Sequence, residues 1–128
     1  ETVDSPCTLQ IPEALQNFLA KRVQKFGGFK NYFEFLLSRF EIILATGNLA
    51  QSSRVKTIYQ KKNLDLEQLS FRPKKSDWFK MKLYREGLGY SIAYLVTYLV
   101  ILDELGLSSI VKPFLDGVVA TTINKVLL

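Results

Sequence analysis

Residues 92–102 ("IAYLVTYLVIL") constrain the fold more than any other stretch of this 128-residue chain. All of them except Thr97 are apolar or aromatic, so a helix formed here is apolar on every side and has to be buried among other elements. The longer run 90–102 is still shorter than the ~20 residues that cross a bilayer, and Asp103 and Glu104 follow it. The stretch therefore predicts a core helix in a mainly α-helical protein.

A strand followed by two helices forms the first half of the chain, residues 8–47. It opens with the alternating stretch "CTLQI", in which Leu9 and Ile11 predict an inward face. A proline ends this strand. Apolar residues at spacings of three and four then predict an amphipathic helix, a Gly-Gly pair stops it, and a second helix ends at Gly47.

The same pattern occurs again in residues 68–106. This unit opens with the alternating stretch "QLSFR", which a proline closes. Ser76 is predicted to cap the first helix of the unit and Ser91 the second, which ends at Gly106. The Leu-x-Phe of this strand matches the Leu-x-Ile of the first strand at a spacing of 60 residues, so the chain has the pattern of an internal duplication.

Two such units can complete each other's cores if their strands pair antiparallel and their second helices cross beneath the strands. We therefore predict a single compact domain over residues 1–128, mainly α with a short two-stranded antiparallel ribbon. Residues 48–67 would form a basic linker. Residues 107–128 would form a helical tail, either packed on the core or used for self-association or a protein partner.

Basic residues are concentrated in the middle of the chain. Of the 17 Lys and Arg residues, 15 lie in residues 21–85 together with five acidic residues, a local balance of +10 against +5 for the whole chain. This clustering favours an anionic partner, and nucleic acid is the first candidate. The alternative is a solvated basic surface without a partner.

Most enzymes and metal sites use residues that this chain lacks. It contains no His and one Cys, and it has neither a Gly-rich phosphate loop nor paired carboxylates at a recognisable spacing. We therefore expect no enzymatic activity and no metal or cofactor. The lone Cys7 and the acidic, polar start "ETVDSP", which is unlike a signal peptide, favour a cytoplasmic protein that does not bind membranes.

A strand with alternating polar residues, followed by two helices that a glycine turn separates, resembles the ribbon-helix-helix family of repressors, the Arc and MetJ type. The stretch "QLSFRP" (68–73) is similar to the DNA-reading strand of Arc. The resemblance implies a tandem ribbon-helix-helix pseudo-dimer in a single chain. Its ribbon would enter the major groove of double-stranded DNA, as in a sequence-specific transcriptional repressor or regulator.

The same resemblance assigns roles to individual residues, because outward ribbon side chains read bases and helix starts hold phosphates in that family. The implied base-reading residues are Thr8, Gln10, Gln68, Ser70 and Arg72. The implied phosphate-binding residues are Lys30, Asn31, Tyr90, Ser91, Lys74 and Lys75. Since Pro12 stands where the first strand would match Arg72, the ribbon should prefer an asymmetric target.

Residues 8–106 are also similar to a Leptospira-type bacterial domain of unknown function, through "IP", "KTIYQKKNLDLEQLSFRP", "DW" and "GYS". This second resemblance implies no activity. The main alternative function is a protein-interaction module, such as an antitoxin whose tail, here residues 107–128, wraps a partner. A structural helical domain without a nucleic-acid role is the other alternative.

Overall fold

The computed structural model describes residues 1–47, 49 and 65–106. Its elements, in chain order, are strand β1 (Cys7–Pro12), a 3-10 turn (Glu13–Leu15), helix α1 (Gln16–Phe26), helix α2 (Phe29–Ala45), strand β2 (Leu66–Phe71), helix α3 (Lys75–Leu88) and helix α4 (Ile92–Glu104). A mainly α-helical protein with a two-stranded antiparallel ribbon is confirmed. The predicted tail 107–128 and nearly all of the predicted linker lie outside the described residues, and residues 66 and 67 belong to β2 instead of the linker.

The two strands pair antiparallel along their whole lengths, with Cys7 opposite Phe71 and Pro12 opposite Leu66. Because side chains alternate between the two faces of a strand, one face of the ribbon buries Leu9, Ile11 and Phe71. A two-stranded ribbon is not stable alone in water. Its stability therefore depends on the helices that cover this inner face.

Helices α2 and α4 cover the ribbon and form the centre of the core. The rings of Phe29 and Phe33 in α2 contact the ring of Phe71 in β2, with centroids 4.6 and 5.2 Å apart. Helix α4 packs against β1 and against α2. Ten of its 13 residues are buried, which confirms the burial expected for a helix that is apolar on every side.

The first residues of the chain extend the ribbon beyond β1. The N–H of Val3 donates to the carbonyl of Pro73 over 3.0 Å, and the N–H of Lys75 donates to the carbonyl of Glu1 over 2.7 Å. Helix α3 starts at Lys75 with no side-chain cap, so the predicted cap at Ser76 is wrong. The backbone of the N-terminal segment instead satisfies one of the free N–H groups at the start of the helix.

Several features of the first half recur 62 positions later. Helices α1 and α3 each end at a glycine in the left-handed conformation, Gly27 with φ 77° and Gly89 with φ 79°. The buried Leu19 of α1 is matched by the buried Met81 of α3. The paired hydroxyl residues of the ribbon, Thr8 and Ser70, are also 62 positions apart. These individual features share a spacing of 62 residues, compared with 60 in the sequence alignment of the strands.

Candidate nucleic-acid interface

The outer face of the ribbon carries neutral hydrogen-bonding side chains. Thr8 lies opposite Ser70 and Gln10 lies opposite Gln68, and all four are exposed. The hydroxyl oxygens of Thr8 and Ser70 are 3.1 Å apart and share a hydrogen bond. Each hydroxyl keeps further capacity to donate or accept. The register therefore brings four of the five predicted base-reading residues into two cross-strand pairs that are neighbours on the outer face, with the inward pair Leu9–Leu69 between them.

Arg72, the fifth of these residues, follows directly after β2 and is exposed. One nitrogen of its guanidinium, Nη1, donates to the carbonyl of Asp4 over 2.9 Å. This contact holds the guanidinium at one end of the ribbon, beside the N-terminal segment. Sequence reasoning did not anticipate the contact, because nothing local to residues 1–4 indicates that they run alongside residues 72–75.

The predicted phosphate-binding residues at the starts of α2 and α3 lie at this same end, since Phe29 contacts Phe71 there. Lys75 is exposed and Lys30 is half-buried. The ammonium of Lys74 forms an ion pair with Glu34 of α2, and that bond raises the pKa of Lys74. The side-chain amide of Asn31 donates to the carbonyl of Phe26 over 2.9 Å and so closes the end of α1.

The remaining two predicted phosphate-binding residues lie at the start of α4. Ser91 caps the helix as predicted, since its hydroxyl accepts the N–H of Tyr94 over 3.1 Å. The ring of Tyr90 stacks on that of Tyr94 at a centroid distance of 4.6 Å. Helix α4 packs against β1, whereas α2 contacts β2. Tyr90 and Ser91 therefore lie at the start of the helix that covers β1, and Lys30 and Asn31 lie in the helix that contacts β2.

Charge is distributed unevenly along the ribbon. Arg72, Lys74 and Lys75 follow one end of β2, whereas Asp65 precedes its other end and Glu67 lies within it. The N–H of Glu13 donates to the carbonyl of Asp65 over 2.8 Å, which adds a third carboxylate to that end. The end with Arg72, Lys74 and Lys75, called the basic end below, also holds Glu1 and Asp4, whose carbonyls accept from Lys75 and Arg72. The other end, called the acidic end, has carboxylates without a neighbouring lysine or arginine among residues 11–13 and 65–68, so an anion is repelled more strongly there.

Polar contacts also link helices α2 and α3 to each other. Glu41 accepts from the hydroxyl of Tyr84 over 2.7 Å and from Lys80 over 3.3 Å; burial and this bond raise the pKa of Tyr84 to about 12. Asp77 is buried, and its Oδ2 has no hydrogen-bond partner among the residues that the structure describes. Burial, together with the charge of Glu34, raises the pKa of the Asp77 carboxyl.

A buried ion pair joins α1 to α4. The guanidinium of Arg22 donates to both carboxylate oxygens of Asp103, over 2.8 and 3.3 Å, and the hydroxyl of Tyr32 donates to the same carboxylate over 2.7 Å. The guanidinium also lies within 5.9 Å of the ring centroids of four aromatic residues, Phe18, Phe26, Tyr32 and Phe35. Asp103 lies at the end of α4, after the apolar run, but it is not a solvated helix end, because its side chain is 4% exposed.

Within residues 1–47, 49 and 65–106, no group of three or more His, Cys, Asp or Glu side chains is arranged to hold a metal ion. Across the same ranges, no helix has the length and apolar character needed to cross a membrane.

Comparison with known proteins gives a family and no individual relative. Neither the search of curated proteins nor the search of solved structures found a match. The family described as "Protein of unknown function (DUF1564)" matches residues 1–124 of the chain. The chain therefore belongs to the DUF1564 family, a domain of unknown function.

Proposed function

We propose that this protein binds double-stranded DNA through the outer face of its ribbon and acts as a cytoplasmic, sequence-specific transcriptional regulator. The observation that carries the proposal is the pairing of Thr8 with Ser70 and of Gln10 with Gln68 on an exposed face. These side chains can donate and accept hydrogen bonds without charge. A two-stranded ribbon of this width fits the major groove, where base edges can be distinguished.

We further propose that the chain is a tandem ribbon-helix-helix pseudo-dimer whose halves are related by the 62-residue spacing. Cross-packing supports this: α2 of the first half packs on β2 of the second, while α4 of the second half packs on β1 of the first. Polar contacts support it as well. Arg22 pairs with Asp103. Tyr84, which is 62 positions after Arg22, pairs with Glu41, which is 62 positions before Asp103.

In this arrangement Thr8 and Ser70 lie at the pseudo-twofold axis, and the counterpart of Arg72 is Gln10 instead of Pro12. The two ends of the ribbon then present different chemistry. Gln10 and Gln68 present amides, which suit adenine, and Arg72 presents a guanidinium, which suits guanine. The target is accordingly asymmetric, as the sequence also led us to expect.

The spacing of these side chains agrees with that of base pairs. Successive outward residues on a strand are about 6.8 Å apart at ~3.4 Å per residue, which is about two base-pair steps at ~3.4 Å per step. Gln10 with Gln68, Thr8 with Ser70, and Arg72 would therefore contact base pairs about two steps apart. Such a ribbon reads a site of about five base pairs.

Phosphate contacts would hold the ribbon in the groove. Lys75 is exposed at the basic end, and Ser91 and Tyr90 lie at the start of α4. The N–H groups at the start of a helix favour anions through the helix dipole. Lys74 would contribute less than Lys75, since Glu34 already neutralises its charge.

The test is fluorescence anisotropy of the full chain with random duplex DNA over a range of salt concentrations. Affinity should fall steeply with salt, and Lys75→Ala should reduce the slope of log K against log salt by about one unit. Lys82→Ala, which removes an exposed lysine from the same helix, is the matched control and should leave the slope nearly unchanged. Absence of binding at low salt would refute the proposal.

Selection of binding sites from a random duplex library tests base reading separately. The enriched site should be asymmetric, with A·T pairs at one end and a G·C pair at the other. Arg72→Ala should lose discrimination at the G·C position, at a cost of about 1–3 kcal/mol, and retain it at the A·T positions. Loss of affinity without any change in the selected sequence would argue against base reading by Arg72.

A further inference from the structure

An exposed apolar pair on α3 is not explained by the core or by the ribbon. Among the residues that the structure describes, Phe79 and Leu83 are the two most exposed large hydrophobic side chains, at 61% and 52%. They are four positions apart and therefore lie next to each other on one face of the helix. The opposite face of α3 contributes Met81 and Asp77 to the interior.

The corresponding face of α1 provides an internal comparison. At the 62-residue spacing, Phe79 is matched by Asn17 and Leu83 by Lys21, and both of these residues are exposed and polar. The inward residues Leu19 and Met81, in contrast, are both buried and apolar. The fold therefore accepts polar residues on the outer face of this helix, and the apolar pair on α3 requires another reason.

Charged residues continue the same stripe on both sides of the apolar pair. Lys75 lies one turn before Phe79 and Glu86 lies one turn after Leu83, and both are exposed. At 3.6 residues per turn, the four residues fall within an arc of about 80°. The stripe thus runs from positive through apolar to negative along the helix, with the exposed Lys82 at its margin, about 20° from Lys75.

We propose that this stripe, consisting of Lys75, Phe79, Leu83 and Glu86, is the interface of a symmetric dimer formed with a second copy of the chain. A twofold axis close to Met81 would align two α3 helices antiparallel and place Phe79 of each copy on Leu83 of the other. The same axis brings Lys75 of each copy to Glu86 of the other. In this alignment the Cα atoms of Lys75 and Glu86 are not directly opposite each other but are offset by one residue, about 1.5 Å along the helix axis. A lysine side chain is long enough to span this offset.

Charge complementarity selects this occupant and this orientation. An interface around a twofold axis must be complementary to itself. Along α3 the stripe has a positive residue first, then two apolar residues, then a negative one. Two such stripes are complementary only when the helices are antiparallel. A parallel pair would oppose lysine to lysine and glutamate to glutamate. One helix face is a small interface, so the dimer is weak and forms with increasing concentration.

The test is sedimentation equilibrium of the full chain without DNA, from about 1 µM to about 1 mM, the range in which such weak dimers dissociate. The mass should rise toward that of a dimer. Phe79→Asn together with Leu83→Lys, the residues that α1 carries at these positions, should abolish the rise. Leu66→Asn with Leu105→Asn replaces two similarly exposed apolar residues outside the stripe and should not affect it.

A charge exchange tests the orientation. Lys75→Glu or Glu86→Lys alone should weaken the dimer by about tenfold, because each ion pair occurs twice in the symmetric interface, and the double variant should restore it. Both changes also suit the helix dipole, so neither should unfold α3. A chain that stays monomeric over the whole range, a dimer that persists in Phe79→Asn/Leu83→Lys, or a double variant without recovery would each overturn the proposal.

Discussion

The buried ion pair between Arg22 and Asp103 gives the sharpest prediction about stability. Replacing Asp103 with asparagine removes the charge from a carboxylate that accepts three hydrogen bonds and leaves the guanidinium of Arg22 without an anion. Because the Asp103 side chain is 4% exposed and that of Arg22 19%, solvent does little to replace the lost pair.

The magnitude follows from this burial. Breaking a buried ion pair by removing one partner costs about 3–5 kcal/mol. Four aromatic rings around the guanidinium of Arg22 continue to attract its charge, and the introduced side-chain amide can still accept one hydrogen bond. We therefore expect Asp103→Asn to lower the free energy of unfolding by about 3 kcal/mol, the lower end of that range.

Glu41 provides the matched control, because it lies 62 positions before Asp103 and pairs with Tyr84 and Lys80. Its side chain is 31% exposed and that of Lys80 46%. Solvent weakens such pairs, so Glu41→Gln should cost no more than about 1 kcal/mol. A similar cost for the two variants would contradict the argument from burial.

Urea unfolding followed by circular dichroism measures both variants, with the m-value as the check that the extent of unfolding is unchanged. The double variant Arg22→Met/Asp103→Leu distinguishes loss of the pair from loss of packing. Apolar residues of similar volume often replace a buried ion pair at little cost. The double variant should therefore be more stable than Asp103→Leu alone; equal or lower stability would refute the reasoning.

Three further predictions concern Asp77, the helix-terminating glycines and Glu67. The raised pKa of Asp77 means that the folded state favours its protonated form. The ionised carboxylate therefore lowers stability at neutral pH, and this effect is absent well below its ordinary pKa of 3.8. Asp77→Asn should stabilise the protein by about 1 kcal/mol at pH 7 in urea unfolding, and the gain should disappear in acid. Gly89→Ala should cost about 1 kcal/mol in thermal unfolding because of its positive φ, although an added Cβ meets no atom of the described residues within 4 Å. Gly87→Ala, inside the same helix, should in contrast be slightly stabilising. If the ribbon binds DNA, Glu67→Gln should raise affinity severalfold at low salt by removing charge from the acidic end, and unchanged affinity in anisotropy titrations would place DNA away from that end.

Local sequence determined the elements and their inward faces. The all-apolar run 92–102 predicted a buried helix, and α4 is buried, because such a helix has no face that water can solvate well. Alternation in "CTLQI" and "QLSFR" predicted two strands with defined inner faces, since strand side chains repeat with a period of two. These properties depend on neighbouring residues alone.

The candidate site was predicted in part. The outward direction of Gln10, Gln68 and Ser70 followed from the same alternation. The contact of Arg72 with Asp4 and the ion pair of Lys74 with Glu34 did not follow, because each joins residues that are far apart in sequence. Phe79 and Leu83 could have been found from a helical projection, since they lie opposite the apolar face of the same helix.

Tertiary structure alone decided the strand register and the role of Asp103. The strands fit together in the register that buries Leu9, Ile11 and Phe71 over helices supplied by both halves, and neither strand contains that information. Asp103 ends an apolar helix in the sequence, but its partner Arg22 lies 81 residues away. A carboxylate with the same local sequence would be a solvated helix end in one fold and a buried ion pair in another, because its environment is set by whichever element packs beside it.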